Sequence, residues 1–339
     1  MAAAVLTFGI LLSCLGSART GSAIANATCS APSPGVEWLR VSSTRERPSL
    51  DRWCAGVGPP ARVESSQAAD TMTAPFAVVS WNTHVGAGDL DALIADLRAG
   101  KLTSRPVTHF ILLLQEAYRA GDAVPTLDAV EWASAVLGAG PRHSRVEAVR
   151  AAERLGLSTI YVPSMRNGRP GTTAEDRGNA ILTTARLTDV RAIELPLERQ
   201  RRVALAATVM VKAGDAPATP LRVVCTHFTN MVMHHVWVLS ESGRLRQARA
   251  LAQVLPTEGP MILGGDLNTW FGYRDAAYRE LAARLPSRAA VDDRRATFGP
   301  MRLDHLLFRL PDGWRGEIRR ADQKYGSDHY PLVALIDAR

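Results

Sequence analysis

An α/β layered domain is the fold class that residues 74–339 predict, on two observations. Apolar runs of strand length alternate with segments of helical periodicity, as expected when helices cover a sheet. Polar residues recur where the apolar runs stop, and in open α/β folds those strand ends present side chains to a ligand. In chain order, strands are expected at Phe76–Trp81, Val107–Leu114, Ser158–Val162, Ala180–Thr184, Val203–Val211, Leu221–Thr226, Met261–Gly264, Leu303–Phe308 and Tyr330–Ile336. Helices are expected at Asp89–Arg98, Ser144–Leu155, Ser240–Leu255 and Tyr273–Leu285. Pro256 ends the third, because proline has no backbone N–H to continue the ladder.

Residues 1–27 read as a signal peptide or N-terminal anchor. Ala2 to Leu12 is a short apolar run, and Ala25-Asn26-Ala27 has the small-x-small pattern of a cleavage site. Export, to a periplasm or the medium, is therefore expected, with a lipid- or membrane-anchored form as the alternative. Residues 28–73 lack sustained periodicity and are rich in Ser, Pro and Arg. In an oxidising compartment Cys29 and Cys54 would pair across this loop-rich extension, closing a loop of about 25 residues worth ~3 kcal/mol in the chain-entropy model. Cys225, inside an apolar run, reads as a buried thiol.

The chain of 339 residues is 46% hydrophobic, enough for a large core, and no run approaches the ~18 apolar residues of a membrane-spanning helix. The formal net charge is +7, and every basic residue except Lys101, Lys212 and Lys324 is arginine. A basic surface attracts polyanions but selects no substrate by itself. Neither a Cys-x-x-Cys or His-Glu-x-x-His zinc pattern nor a Gly-x-x-x-x-Gly-Lys nucleotide loop occurs.

The chemistry clusters at the strand ends. Asn82 closes the first run, Gln115-Glu116 the second, His227 the sixth and Asp266-Leu267-Asn268 the seventh; Asp304 opens the eighth and Asp328-His329 precedes the ninth. Carboxylate and amide oxygens suit a hard divalent cation, and neutral or cationic donors suit phosphoryl oxygens. Converging on one mouth, this set would serve both.

Seven motifs, in order, carry a family resemblance. They are Ser80-Trp81-Asn82-Thr83, Leu113-Leu114-Gln115-Glu116, Arg177-Gly178-Asn179-Ala180-Ile181-Leu182, Thr226-His227-Phe228, Gly264-Gly265-Asp266-Leu267-Asn268, Arg302-Leu303-Asp304-His305 and Gly326-Ser327-Asp328-His329-Tyr330-Pro331-Leu332. In this the chain resembles the endonuclease/exonuclease/phosphatase superfamily, which includes deoxyribonuclease I, apurinic endonucleases, neutral sphingomyelinases and inositol polyphosphate 5-phosphatases. The resemblance implies a four-layer α/β/β/α sandwich of two mixed sheets flanked by helices, with the site at one end.

It also implies roles. Glu116 would be the principal ligand of Mg²⁺, with Mn²⁺ as the alternative, and Asn82 and Asp328 would join the metal site. Asp266 would align or deprotonate the attacking water, and Asn268 would donate to transition-state oxygens. His329 would act as general base or phosphate contact, with Asp304 fixing its tautomer; which of Asp266 and His329 is the base stays open. His227 would contact phosphate or aid the leaving group. Asn179, Arg177 and Trp270 are candidates for substrate contact. His84, His234, His235 and His305 match nothing specific and read as surface residues or supports behind the site.

Asn268 is followed by Thr269-Trp270-Phe271 rather than the aromatic-Arg pair of the 5-phosphatases, which counts against that branch. Two patches are candidate grips: Arg166, Arg169 and Arg177 around Gly168–Gly171, and Met231, Met233 and Trp237 among His234 and His235. Both suit a polynucleotide, and both suit a lipid surface. Three readings follow in order: a nuclease acting on DNA or RNA, a sphingomyelinase-like phospholipid head-group phosphodiesterase, and a non-catalytic binding module on the same fold. Nucleic acid is the expected partner and a phospholipid surface the alternative; no stable protein partner is inferred.

Overall fold

The structure, a computed structural model, describes residues 35–125, 145–167, 174–230, 232–233, 236–237 and 242–338. The leader, Cys29 and with it the Cys29–Cys54 pairing, the loop around Arg169, and Met231, His234 and His235 lie outside the described residues, as do the side chains of Met233 and Trp237.

The strands in chain order are β1 (Glu37–Arg40), β2 (Ala61–Val63), β3 (Met72–Thr73), β4 (Phe76–Asn82), β5 (His109–Ala120), β6 (Ser158–Asn167), β7 (Glu175–Thr183), β8 (Thr188–Glu194), β9 (Val203–Lys212), β10 (Thr219–His227), β11 (Val232–Met233), β12 (Val236–Trp237), β13 (Met261–Asp266), β14 (Val291–Asp292), β15 (Asp304–Arg309), β16 (Trp314–Arg320) and β17 (Leu332–Ala338). The helices are α1 (Arg47–Ala55), α2 (Leu90–Arg98), α3 (Ala148–Arg154), α4 (Ser242–Val254) and α5 (Ala276–Arg284). All nine expected strands and all four expected helices form, several with shifted ends.

One mixed sheet of eight strands runs β14-β16-β17-β4-β5-β7-β6-β2, and a mixed sheet of seven runs β1-β8-β9-β10-β13-β15 with β3 beside β9. Side chains alternate across each strand, so each sheet has two apolar faces. Phe76 and Val78 of β4 meet Val223, Cys225 and Ile262 in the core between the sheets. Ala77, Val79 and Trp81 point the other way, onto Leu93, Ile94 and Leu97 of α2 and Ala151 of α3. The outer face of the second sheet packs on Ala248 and Leu251 of α4 and Leu281 of α5. This is the expected four-layer α/β/β/α sandwich. Asp89 starts α2 by accepting from Ala92 N at 3.0 Å, a cap that satisfies one of the helix's orphan donors. Among the described residues, no helix is long and apolar enough to cross a membrane.

Residues 35–73 are woven into both sheets: β1 pairs with β8, β3 with β9 and β2 with β6. Cys225 is the buried thiol expected. Its Sγ accepts from Gln115 Nε2 at 3.2 Å and donates to Leu114 O at 3.3 Å, and burial pushes it up to about 12.

Candidate active site

Strand register places the polar strand ends in rows. His227, Asp266 and Asp304 are cross-strand partners on β10, β13 and β15. In the other sheet Asn82 pairs with Gln115 across β4 and β5. The β5 ladder then shifts register between Leu114 and Ala117, and this bulge turns Glu116 inward at φ 50°. A cavity of about 270 Å³ opens here, lined by Asn82, Glu116, Arg177, Arg202, His227, Asp266, Asn268, Trp270, Asp328 and His329 among others. His84, Val85, Glu116 and Asn268 on its wall all carry positive φ. Such strained conformations in non-glycine residues persist where the surroundings over-determine them, and they concentrate at functional sites.

Asp266 is the hub. Its Oδ2 accepts from Asn82 Nδ2 at 3.0 Å and lies 3.4 Å from His227 Nε2 and 3.8 Å from His329 Nε2. Its Oδ1 accepts from Asn268 N at 2.9 Å. Burial and the neighbouring Asp304 carboxylate raise Asp266 to about 7, against the pull of His329 and Asn82. His329 Nδ1 lies 2.8 Å from Asp304 Oδ2, which leaves Nε2 facing the cavity. Burial opposes its protonation, yet Asp304 first, then Asp266 and Asp328, raise it to about 10, so it is an imidazolium at neutral pH. Asp304 is fully buried, and Thr297 Oγ1 holds its backbone in place by accepting from Leu303 N and Asp304 N, each at 3.1 Å. Ser327 Oγ donates to Asn82 O at 2.6 Å and accepts from His329 N at 3.1 Å, tying the histidine loop to β4.

Glu116 has a different setting. Its carboxylate accepts no hydrogen bond among the described residues, and its nearest cation is Arg177 Nη1 at 3.6 Å. Burial would raise it, but Arg177, Arg202, His329 and His84 outweigh burial and hold it below the usual carboxylate range. An ionised carboxylate with vacant lone pairs, flanked on the same wall by the Asn82 amide and the Asp328 carboxylate, fits a hard divalent cation. Asn82 Oδ1 also accepts from His84 N at 3.0 Å, and Asp328 Oδ1 lies 3.7 Å from His84 Nδ1. The tightest cluster of potential ligand atoms is instead Asp266, Asp304 and His329, within 4.8 Å of one another. The cation within it is the His329 ring itself, whose Nδ1 is held by Asp304 at 2.8 Å while Nε2 stands 3.8 Å from Asp266.

Of the candidate substrate contacts, Trp270 and Arg177 line the cavity. Asn179 does not reach that wall: it is 1% exposed, and its amide donates to Val203 O at 2.7 Å. Arg166, expected in a substrate grip, has a different place. It is buried on β6 with its Nη1 donating to Pro125 O, so it cannot grip a substrate as a surface residue. His305 is buried behind the site with its Nε2 2.7 Å from Thr269 Oγ1, whereas His84 is half exposed at the rim. The residue that sequence reasoning missed is Arg202. It is buried, its Nη1 lies 3.1 Å from His227 Nδ1, and its Nε has no hydrogen-bond partner. It forms no ion pair among the described residues, and burial lowers it to about 10, still a cation at neutral pH. Burial, then Arg202, Arg177 and His329, push His227 well below its ordinary value, so it is neutral.

The sequence matches the Endonuclease/Exonuclease/phosphatase family over residues 79–329. No curated protein matches the chain. Among solved structures, an endonuclease/exonuclease/phosphatase from Beutenbergia cavernae DSM 12333 is similar at 17% identity and a TM-score of 0.53, covering 77% of this chain and 71% of that one. An endonuclease/exonuclease/phosphatase family protein from Leptotrichia buccalis C-1013-b is similar at 12% identity and a TM-score of 0.51, covering 77% of this chain and 99% of that one.

Proposed function

Because the chain belongs to the Endonuclease/Exonuclease/phosphatase family, and is therefore a metal-dependent phosphoric ester hydrolase, we propose that it is an exported Mg²⁺-dependent nuclease. One observation carries the assignment to a phosphodiester. A single cavity sets the uncommitted carboxylate of Glu116 beside two guanidiniums, Arg177 and Arg202, whose buried Nε atoms have no partner. Arg202 forms no ion pair among the described residues and Arg177 forms only the loose 3.6 Å pair with Glu116, so the cluster leaves room for a bound anion.

Glu116, Asp328 and the Asn82 amide would hold Mg²⁺, or Mn²⁺ in its place. The chemistry such an ion supplies is polarisation of the phosphoryl group and neutralisation of a leaving oxyanion. Asp266, poised near neutrality, takes the proton from the attacking water. His329 presents a charged Nε2–H to a phosphoryl oxygen while Asp304 holds its other nitrogen. Arg202 and Arg177 donate to the remaining oxygens, where charge grows in the transition state. One N–H of Asn268 is committed to Phe228 O at 3.0 Å, leaving the other for the substrate. Neutral His227, backed by Arg202, faces the same space.

Nucleic acid is favoured as substrate by the +7 net charge, carried almost wholly by arginine. A phospholipid head group is the second reading, for Phe271 stands 46% exposed beside Trp270 at the mouth and would suit a lipid surface. The apolar leader and its Ala25-Asn26-Ala27 pattern support export. Supercoiled plasmid and sphingomyelin vesicles, each incubated with Mg²⁺ and with EDTA, separate the readings. Metal-dependent nicking supports the nuclease; vesicle hydrolysis without nicking replaces it with a lipid phosphodiesterase.

A further inference from the structure

A second cavity, of about 600 Å³, lies around the corner from the first. The same two segments wall both. Trp270 and Leu303 face the catalytic cavity, while Tyr273, Arg302 and His305 face the second. Exposed Phe271 lies between Trp270 and Tyr273 in the chain. The second cavity has an aromatic corner, with the ring centroids of Tyr273 and Tyr278 5.0 Å apart and His305 at 5.3 and 4.6 Å from them.

Its charge is unbalanced. Arg302 is only 7% exposed and its buried Nε has no hydrogen-bond partner. Its Nη1 donates to Arg295 O at 2.9 Å, and its guanidinium sits 5.9 Å from the Tyr273 ring, but it forms no ion pair among the described residues. Arg294, three-quarters exposed at the rim, lies 5.1 Å from the Tyr273 ring centre and 3.5 Å from Asp292. A buried guanidinium without a carboxylate is costly to keep, and an anion from outside would relieve it. Aromatic rings next to that cation offer a stacking surface for a base.

We propose that this cavity is a subsite for one nucleotide of a polynucleotide substrate, at a distance from the bond being cut. Arg302 and Arg294 take its phosphate, the half-buried Tyr273 and Tyr278 rings, backed by buried His305, take its base, and the strand passes Phe271 on its way between the two cavities. The proposal rests on the nuclease reading for its place in catalysis, but binding to the subsite does not require cleavage.

The test uses the full protein with Arg302→Gln and, because Arg302 lies two residues from Asp304, the exposed-site variant Arg294→Glu as a second probe. Each is assayed on bis(p-nitrophenyl) phosphate, too small to span both cavities, and on a labelled single-stranded 12-mer. Each is also titrated calorimetrically with AMP and with inorganic phosphate in EDTA. Both variants should lower kcat/KM for the 12-mer about tenfold or more and leave the small diester within about twofold. AMP should bind the wild type more tightly than phosphate does and lose that affinity in both variants. If the wild type does not cut the 12-mer, the nuclease reading fails by itself, and AMP binding lost with Arg302 still supports the subsite. Equal effects on both diesters, AMP binding that both variants retain, no AMP binding by the wild type, or phosphate binding as tight as AMP would each overturn the assignment.

Discussion

Replacing Asp304 by asparagine changes one charge at a place no solvent reaches. Asp304 Oδ2 lies 2.8 Å from His329 Nδ1, and Asp304 is fully buried. Raising His329 from 6.5 to about 10 corresponds to about 5 kcal/mol in favour of the imidazolium. Burial opposes that figure, and Asp304 is the largest of the groups that overcome it, ahead of Asp266 and Asp328. Without its charge the largest support of the imidazolium is gone, and the His329 midpoint should fall by more than about one pH unit. The imidazole is then less often charged at neutral pH, and its Nδ1 faces an amide that can donate as well as accept, so the tautomer is no longer fixed. The expected cost is on the order of 10²–10⁴ in kcat for bis(p-nitrophenyl) phosphate. NMR titration of His329 in EDTA reads the midpoint directly, and steady-state kinetics with Mg²⁺ reads the rate. A midpoint within about one pH unit of the wild type, or a rate within about threefold, would refute the claim that Asp304 sets the charge of His329.

Above pH 7, stability in EDTA should fall as pH rises. Asp266 and His329 both have folded values above their ordinary ones, so each contributes stability that is full below its ordinary value and is lost as pH climbs through the folded value. For Asp266 the loss runs from 3.8 to about 7 and for His329 from 6.5 to about 10, while the depressed His227 and His305 act in the opposite sense only up to 6.5, so Tm should drop between pH 7 and pH 9, and less steeply in Asp266→Asn. Arg202→Met should lower kcat by about 10²-fold or more, the scale for losing one transition-state donor, and Arg202→Lys should recover only part of it because the ammonium lacks the planar fork. Gly265→Ala should cost about 1–3 kcal/mol in denaturant melts, since its Cβ would fall 2.1 Å from Thr226 O, and it should depress kcat by pushing Asp266 from His227.

The parts legible in the sequence were those with local causes. Long apolar runs such as Phe76–Trp81 and Leu221–Thr226 become central strands buried on both faces, and the polar residue ending each run stays at the sheet edge. β16 has no apolar pattern to read because only the two-residue β14 lies outside it in the sheet: Trp314–Arg320 buries only Gly316 and Ile318. β8 mixes Thr, Asp and Arg with three apolar residues and shifts register against β9. β1, β2 and β3 are two to four residues long and gain their order from the sheets they join. The largest omission was electrostatic. Gln200-Arg201-Arg202 reads as a solvated run, yet all three are buried, because β9 starts at the catalytic end of the sandwich. Arg201 meets Glu194 at 2.7 Å and the carbonyls of Pro163 and Ser164 at 3.0 Å, while Arg202 turns into the cavity. Partners brought together across three strands leave no local trace by which a buried arginine is told from an exposed one.

The central claim is that this cavity is the metal-dependent hydrolytic centre and that Glu116 holds its metal. Its most direct test is bis(p-nitrophenyl) phosphate hydrolysis by wild type and Glu116→Gln, stripped with EDTA and titrated back with Mg²⁺ while circular dichroism confirms the fold. The account predicts saturable recovery in the wild type, and in the variant a rate lower by about 10²-fold or more with a weaker Mg²⁺ midpoint. Full recovery in Glu116→Gln at the wild-type Mg²⁺ midpoint, or activity that persists in EDTA, would contradict it.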